Sequence, residues 1–157
     1  MTDFDKFVMW NCAGLRGTTA STDEKFAFFD SQFPNGSFSV AAIIETHHKD
    51  AGDFSQDLGR YKQTHHLFHS PVENETPSGV IVLICKSFQI IQQSEPLPGR
   101  LMNFQMKKSD EILDLSAFYG PQWGKLKKED VRTVLDKFSM CGYILTLRYL
   151  VFFYVKL

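Results

Sequence analysis

The chain has 157 residues, which is about the size of one domain. Apolar residues make up 43% and charged residues 22%, a balance that supports a packed core and excludes bulk disorder. Seventeen basic and 18 acidic residues leave a formal net charge of −1, which excludes the broad positive surface typical of indiscriminate nucleic-acid binding. A phosphate-bearing ligand must therefore be held locally, with a metal ion as one means of neutralising its charge.

The cysteines and the two ends of the chain indicate the compartment. Cys12, Cys85 and Cys141 are odd in number and widely spaced, unlike a secreted disulfide framework, and no secretory signal is visible near the amino terminus. Twelve of the 16 residues from 142 to 157 are apolar, fewer than the roughly 18 needed to span a bilayer. We therefore expect an intracellular protein, nuclear or cytoplasmic, with no membrane anchor.

A strand, a helix and a second strand are predicted within the first 45 residues. Residues 6–11 form an apolar run typical of a strand covered on both faces. A capping box beginning at Ser21 predicts the start of a helix, which residues 34–36 end with Pro-Asn-Gly. The apolar stripe of this helix consists of Phe26, Phe29 and Phe33. A second buried run, 38–44, completes a parallel crossover unit.

Polar residues follow three of the predicted strands. Asn11 and Glu45 end the two strands of the crossover unit, so they are expected at one edge of the sheet, where open α/β sheets build ligand sites. A hard cation such as Mg²⁺ takes carboxylate and phosphate oxygens, which makes Glu45 the candidate ligand, with Asn11 orienting it or the phosphate. Tyr119 is a candidate hydrogen-bond donor to a phosphate oxygen. The alternative is that each residue caps a strand or turn.

The remainder of the chain predicts a mixed sheet with an antiparallel meander and a second main helix. Five further strands are predicted at residues 61–68, 79–85, 88–93, 101–106 and 112–118. The alternation of Met102, Phe104 and Met106 with Leu101, Asn103 and Gln105 predicts a strand that buries mainly one face. The second helix is expected at about 127–138, and apolar strands from residue 142 onward. The fold class is therefore α/β.

Three other groups of residues suggest alternative chemistry. His65 and His69 have a spacing used by zinc ligands on helices, but in a strand they stand roughly 13 Å apart, too far to share an ion. Trp123, beside lysines at 125, 127 and 128, suggests a nucleic-acid contact by stacking, whereas solvated loop lysines are the plainer interpretation. Cys12 has no histidine in a triad-like pattern, which favours a packing role.

Five motifs in order resemble the endonuclease/exonuclease/phosphatase superfamily, of the deoxyribonuclease I-like type. They are Trp10-Asn11-Cys12-Ala13-Gly14-Leu15-Arg16, Ile44-Glu45-Thr46-His47, Ser78-Gly79-Val80-Ile81-Val82-Leu83, Gly99-Arg100 and Phe118-Tyr119-Gly120-Pro121-Gln122. The first two motifs are most similar to the endonuclease domains of LINE-type retrotransposons. The resemblance covers only the amino-terminal part of such a domain.

The resemblance implies a two-sheet α/β sandwich that hydrolyses nucleic-acid phosphodiesters, DNA above all, with Mg²⁺ or Mn²⁺. By motif matching, Asn11 is the site asparagine and Tyr119 the phosphate-side tyrosine of the catalytic group, Glu45 is the metal ligand, and Gln122 contacts substrate with Trp123 beside it. Two positions depart from the family pattern. Ala13 stands where a second asparagine is common, and Gln122 where an asparagine is usual.

The family's later catalytic groups are absent after Tyr119. No Gly-Asp-Phe-Asn motif and no Asp-His pair follows, and the last histidine is His69. We therefore expect an incomplete sandwich, with a partial domain at 1–140 and a divergent apolar tail at 141–157, that is truncated and inactive in isolation. The alternatives are a non-catalytic relic that retains only the scaffold, and a phosphatase of inositol phosphates or lipids. An unpaired sheet face predicts self-association.

Overall fold

The computed structural model describes residues 6–15, 19–47, 58–71, 79–119 and 150–152. In chain order these residues form β1 (Phe7–Asn11), α1 (Thr19–Gln32), β2 (Val40–Ile44), β3 (His65–Ser70), β4 (Val80–Cys85), β5 (Gln89–Leu97), β6 (Leu101–Lys108), β7 (Glu111–Phe118) and β8 (Leu150–Phe152). Two 3₁₀ turns, Pro34–Gly36 and Gly59–Gln63, precede β2 and β3.

The first sheet has the strand order β1-β2-β4-β3. β1 and β2 are parallel neighbours in which Asn11 is paired with Ile44, as the crossover unit predicts. β4 runs antiparallel to both β2 and β3. Every residue of β2 is buried, because both faces of this strand are covered. Its continuous apolar run therefore reflects its central place in the sheet.

The second sheet has the strand order β5-β6-β7-β8. The first three strands form the predicted antiparallel meander, and β8, which falls in the apolar tail, pairs in parallel with β7. Met102, Phe104 and Met106 are buried on one face of β6, which confirms the predicted alternation. β5 extends to Leu97, beyond its predicted end, because Pro96 is tolerated on an edge strand.

The two sheets pack face to face, with α1 on the other side of the first sheet. The core between the sheets includes Val40, Ala42, Ile44, Val82, Met102, Phe104, Met106, Leu115 and Ala117. The core under α1 includes Val8, Phe26, Phe29, Ala41, Ile43, Ile81 and Leu83. The first sheet is therefore covered on both faces, and self-association through an exposed sheet face stays a prediction. No helix in the described ranges is long and apolar enough to cross a membrane.

Two further expected boundaries are wrong. Tyr61 lies in a 3₁₀ turn and not in a strand, because its buried ring packs under α1 while its hydroxyl donates a hydrogen bond to Asp30. Ser21 is not a helix cap, since α1 already begins at Thr19. The helix expected at 127–138 lies outside the described residues, as does the apolar tail apart from β8.

An aromatic cluster holds α1 on the first sheet. The ring of Phe29 is stacked on Trp10 with 5.1 Å between centroids, and it meets Phe38 edge-on at 5.7 Å and Tyr61 at 6.3 Å. Phe29 is 2% exposed, whereas the neighbouring Phe28 is 61% exposed. The docking of the helix therefore depends on Phe29.

We predict that Phe29→Ala lowers the free energy of unfolding by about 3–5 kcal/mol, because it leaves a cavity among the rings of Trp10, Phe38 and Tyr61. Phe28→Ala is the matched control and should change it by less than about 0.5 kcal/mol. Chemical unfolding followed by circular dichroism measures both. Equal losses in the two variants would contradict the packing described for α1.

Candidate functional site

Backbone segments joined by hydrogen bonds lie where β1, β2 and β7 reach their carboxyl ends, and they carry the side chains of Asn11, Glu45 and Tyr119. We call these segments the site edge. It comprises residues 11–15, 45–47, 79, 99–100 and 119. Backbone hydrogen bonds connect its segments across both sheets.

The first of these bonds extend the parallel pairing of β1 and β2. The amide of Gly14 donates to the Glu45 carbonyl at 2.7 Å, and that of Leu15 donates to the Thr46 carbonyl at 2.9 Å. The backbone amide of Thr46 in turn donates to the Gly79 carbonyl at 3.2 Å, and this bond connects the loop to the start of β4. Gly79 has φ +102°, and a Cβ there would collide with the Thr46 hydroxyl.

Further bonds extend the site edge into the second sheet. The amide of Gly79 donates to the Gly99 carbonyl at 2.8 Å, and the amide of Tyr119 donates to the Arg100 carbonyl at 2.8 Å. The buried Ser70 hydroxyl accepts from the Gly99 amide at 2.5 Å. The structure therefore places Asn11, Glu45 and Tyr119 along one edge.

Asn11 is oriented by its own loop. Its Oδ1 accepts a hydrogen bond from the Ala13 amide at 2.9 Å, so Nδ2 is the end of the side chain left to donate to an anion. Ala13 itself has φ 49°, a left-handed conformation that asparagine adopts more readily than alanine. The departure from the family pattern at Ala13 therefore puts strain on this loop.

Glu45 is a buried carboxylate with an unpaired oxygen. The residue is 7% exposed, and Oε2 has no hydrogen-bond partner among the described residues. An isolated buried carboxylate is costly, so the pocket favours a cation beside it. Within the described part of the chain, no three histidine, cysteine, aspartate or glutamate side chains are grouped so that they could hold a metal ion by themselves. Glu45 alone, as a carboxylate, suits Mg²⁺ or Mn²⁺, which are held by one or two carboxylates plus substrate phosphate oxygens.

Lys25 fixes the loop beside Glu45. Its Nζ donates to the Cys12 carbonyl at 3.0 Å and to the Gly14 carbonyl at 2.5 Å, so α1 clamps the turn that follows β1. Lys25 could not be predicted from the sequence, because its hydrogen-bond acceptors are backbone carbonyls, which leave no residue pattern. The sequence feature that bears on Lys25 is its position directly before Phe26, which places it beside the apolar stripe of the helix.

Cys12 has no nucleophilic role in this geometry. Its Sγ donates to the Ile44 carbonyl at 3.3 Å, and burial raises the pKa of the thiol to about 12. A thiol in that state is protonated at neutral pH and inert. This supports the packing interpretation.

The histidines of β3 do not form a zinc site. His65 and His69 both lie in an extended strand, and no metal-ligand cluster occurs in the described residues. The two nitrogens of His65 are engaged, since Nδ1 accepts from the Thr64 hydroxyl at 2.8 Å and Nε2 donates to the Phe38 carbonyl at 3.0 Å. Gln122, Trp123 and the lysines at 125, 127 and 128 lie outside the described residues, so their roles stay predictions.

Comparison with known proteins establishes one property of this chain. No family model and no curated protein matches it. TDP2 from D. rerio, complexed with a single-strand DNA product, is 16% identical with a TM-score of 0.59, over 84% of this chain and 54% of its own. The AP endonuclease LMAP from Leishmania major is 14% identical with a TM-score of 0.59, over 87% of this chain and 46% of its own.

A third structure, TDP2 from Caenorhabditis elegans, is 14% identical with a TM-score of 0.56, over 84% of this chain and 38% of its own. The likeness establishes the fold. The chain has the deoxyribonuclease I-like α/β sandwich, as the sequence analysis predicts. It spans about 38–54% of the length of these solved structures.

We predict that the stability of the fold decreases below pH 6.5 because of His65. Burial lowers the pKa of this imidazole from its usual 6.5, so the unfolded chain binds a proton that the folded chain does not. The free energy of unfolding should therefore fall from about pH 7 to pH 5.5. His65→Gln should remove part of that slope in denaturant titrations at each pH. An identical slope in this variant would contradict the assignment.

Proposed function

We propose that the site edge binds a divalent metal ion beside a phosphodiester of nucleic acid, and that the chain is part of a metal-dependent phosphodiesterase. The observation that carries this proposal is the buried, unpaired Oε2 of Glu45, on the same edge as Asn11 and Tyr119. The fold likeness to an AP endonuclease, and to TDP2 crystallised with a single-strand DNA product, supports a nucleic-acid ligand.

Each residue of the edge has a separate part in this proposal. Glu45 holds the metal ion, which when bound supplies Lewis-acid stabilisation of charge on a phosphoryl oxygen. Asn11 donates a hydrogen bond from Nδ2 to a phosphate oxygen. Tyr119 is the proposed donor on the other side of the phosphate, and the Arg100 guanidinium lies 5.9 Å from its ring centroid and adds positive charge. Gln122 and Trp123 are proposed to contact the substrate further along the strand.

The finer identity follows from the sequence motifs. We propose that the chain derives from a LINE-type retrotransposon endonuclease and that DNA is its ligand, because the first two motifs are most similar to that group. Hydrolysis also needs a group that aligns water and donors for the pentacoordinate charge. The residues after Tyr119 contain neither the Gly-Asp-Phe-Asn motif nor an Asp-His pair. We therefore propose that this chain by itself binds metal and DNA with negligible cleavage.

We predict that Glu45→Gln weakens Mn²⁺ binding at least tenfold, a loss of about 1.4 kcal/mol or more, because it removes the charged ligand. Isothermal titration of the purified chain with Mn²⁺ measures this. Glu24→Gln, the same substitution at an exposed position on α1, is the control and should bind as the unaltered chain does. Equal Mn²⁺ affinity in all three proteins would exclude a Glu45 metal site.

A second prediction concerns turnover. Incubation of supercoiled plasmid with the chain and Mg²⁺ should give the same low level of nicking for the unaltered protein and for Glu45→Gln, because the other catalytic groups are missing. Nicking that disappears in the Glu45 variant and on adding a chelator would show a competent enzyme. A chain that retains only the scaffold would bind neither Mn²⁺ nor DNA.

A further inference from the structure

Glu45 and His47 project from the same short segment with their polar atoms close together. The distance from Glu45 Oε1 to His47 Nε2 is 3.6 Å. Both residues have left-handed backbone conformations, with φ of 60° and 59°. Such conformations are costly for residues other than glycine and occur at functional sites. The segment is therefore strained in the conformation that brings this carboxylate and this imidazole together.

The side chains of Glu45 and His47 are close together, but no hydrogen bond joins them. Nε2 of His47 is buried without a hydrogen-bond partner, and so is Oε2 of Glu45. A separation of 3.6 Å exceeds the 2.7–3.2 Å of a hydrogen bond between nitrogen and oxygen. The carboxylate of Glu45, a residue only 7% exposed, and the buried Nε2 of His47 are two electron-pair donors whose nearest atoms, Oε1 and Nε2, lie 3.6 Å apart. This is the arrangement expected of two ligands to one cation.

The neighbouring loop makes room for this imidazole. A Cβ at Gly14 would lie 2.8 Å from His47 Nδ1, so the ring packs directly on the glycine backbone, which has φ +84°. The same glycine donates its amide to the Glu45 carbonyl at 2.7 Å. Gly14 therefore fixes both residues, with Nδ1 of the ring against the loop and Nε2 toward the carboxylate.

We propose that His47 is a second protein ligand of the metal ion, so that the site presents one oxygen and one nitrogen donor. This inference rests on the proposed function, because it needs the ion at Glu45. An imidazole ligand favours borderline ions such as Co²⁺ and Zn²⁺, whereas Mg²⁺ takes oxygen donors. The consequence is a site that prefers ions of the Co²⁺ and Zn²⁺ class over Mg²⁺.

The test compares Co²⁺ and Mg²⁺ binding by the full chain and three variants. His47→Gln should weaken Co²⁺ binding about tenfold or more and change Mg²⁺ binding less than about threefold, because only the borderline ion uses the nitrogen. His66→Gln, on β3, is the matched control and should alter neither affinity. Glu45→Gln should weaken the binding of both ions.

The outcomes separate the two proposals. Loss of Co²⁺ binding in Glu45→Gln with unchanged binding in His47→Gln would overturn the second ligand and leave the proposed function standing. Unchanged binding in both variants would overturn the proposed function itself. A loss of Mg²⁺ affinity as large as the loss of Co²⁺ affinity in His47→Gln would exclude the nitrogen ligand and indicate a structural role.

A spectrum of the unaltered chain keeps the inference testable where a variant fails to fold. Addition of the diamagnetic ion Zn²⁺ to protein with ¹⁵N-labelled histidine should shift the Nε2 resonance of His47 and leave those of His65 and His66 in place. A Zn²⁺ titration that moves no His47 resonance would overturn the proposal.

Discussion

The parallel pairing of β1 and β2 continues beyond both strands, and the site edge depends on this continuation. Three backbone amides support it: Cys12 donates to the Ile44 carbonyl at 3.2 Å, and Gly14 and Leu15 donate to the next two carbonyls. These bonds help to hold Glu45 in its left-handed conformation, which costs of order 1–3 kcal/mol. The backbone hydrogen bonds thus offset the cost of this conformation and keep the Glu45 carboxylate at the site edge.

The same loop connects the site to the hydrophobic core. Phe26 and Phe29 anchor α1 on the first sheet, and Lys25, adjacent to Phe26, reaches the loop carbonyls. A shift of the helix along the sheet would pull the ammonium away from both carbonyls and leave them unsatisfied. Packing under α1 and geometry at Glu45 are therefore coupled, although the helix contributes no residue to the proposed metal coordination.

The parts that the sequence predicts are those governed by local patterns. Buried apolar runs located β1, β2 and β4, and the crossover rule placed Asn11 and Glu45 at one edge without any distance information. The pattern failed at Tyr61, where an apolar residue packs under a helix while its backbone forms a 3₁₀ turn. It also could not reveal Lys25, because contacts to backbone carbonyls are compatible with any residue sequence around them.

Charge is the physical reason for proposing a metal ion at this edge. The chain carries a net charge of −1, and Glu45 places a buried carboxylate where the proposed phosphate ligand binds. The nearby ammonium of Lys25 is directed to two carbonyls, so it stabilises the loop and not the ligand. In the proposed function, positive charge for a phosphodiester comes from Arg100 and from an ion held by Glu45. A divalent ion is the simpler source, because it neutralises the carboxylate and the phosphate together.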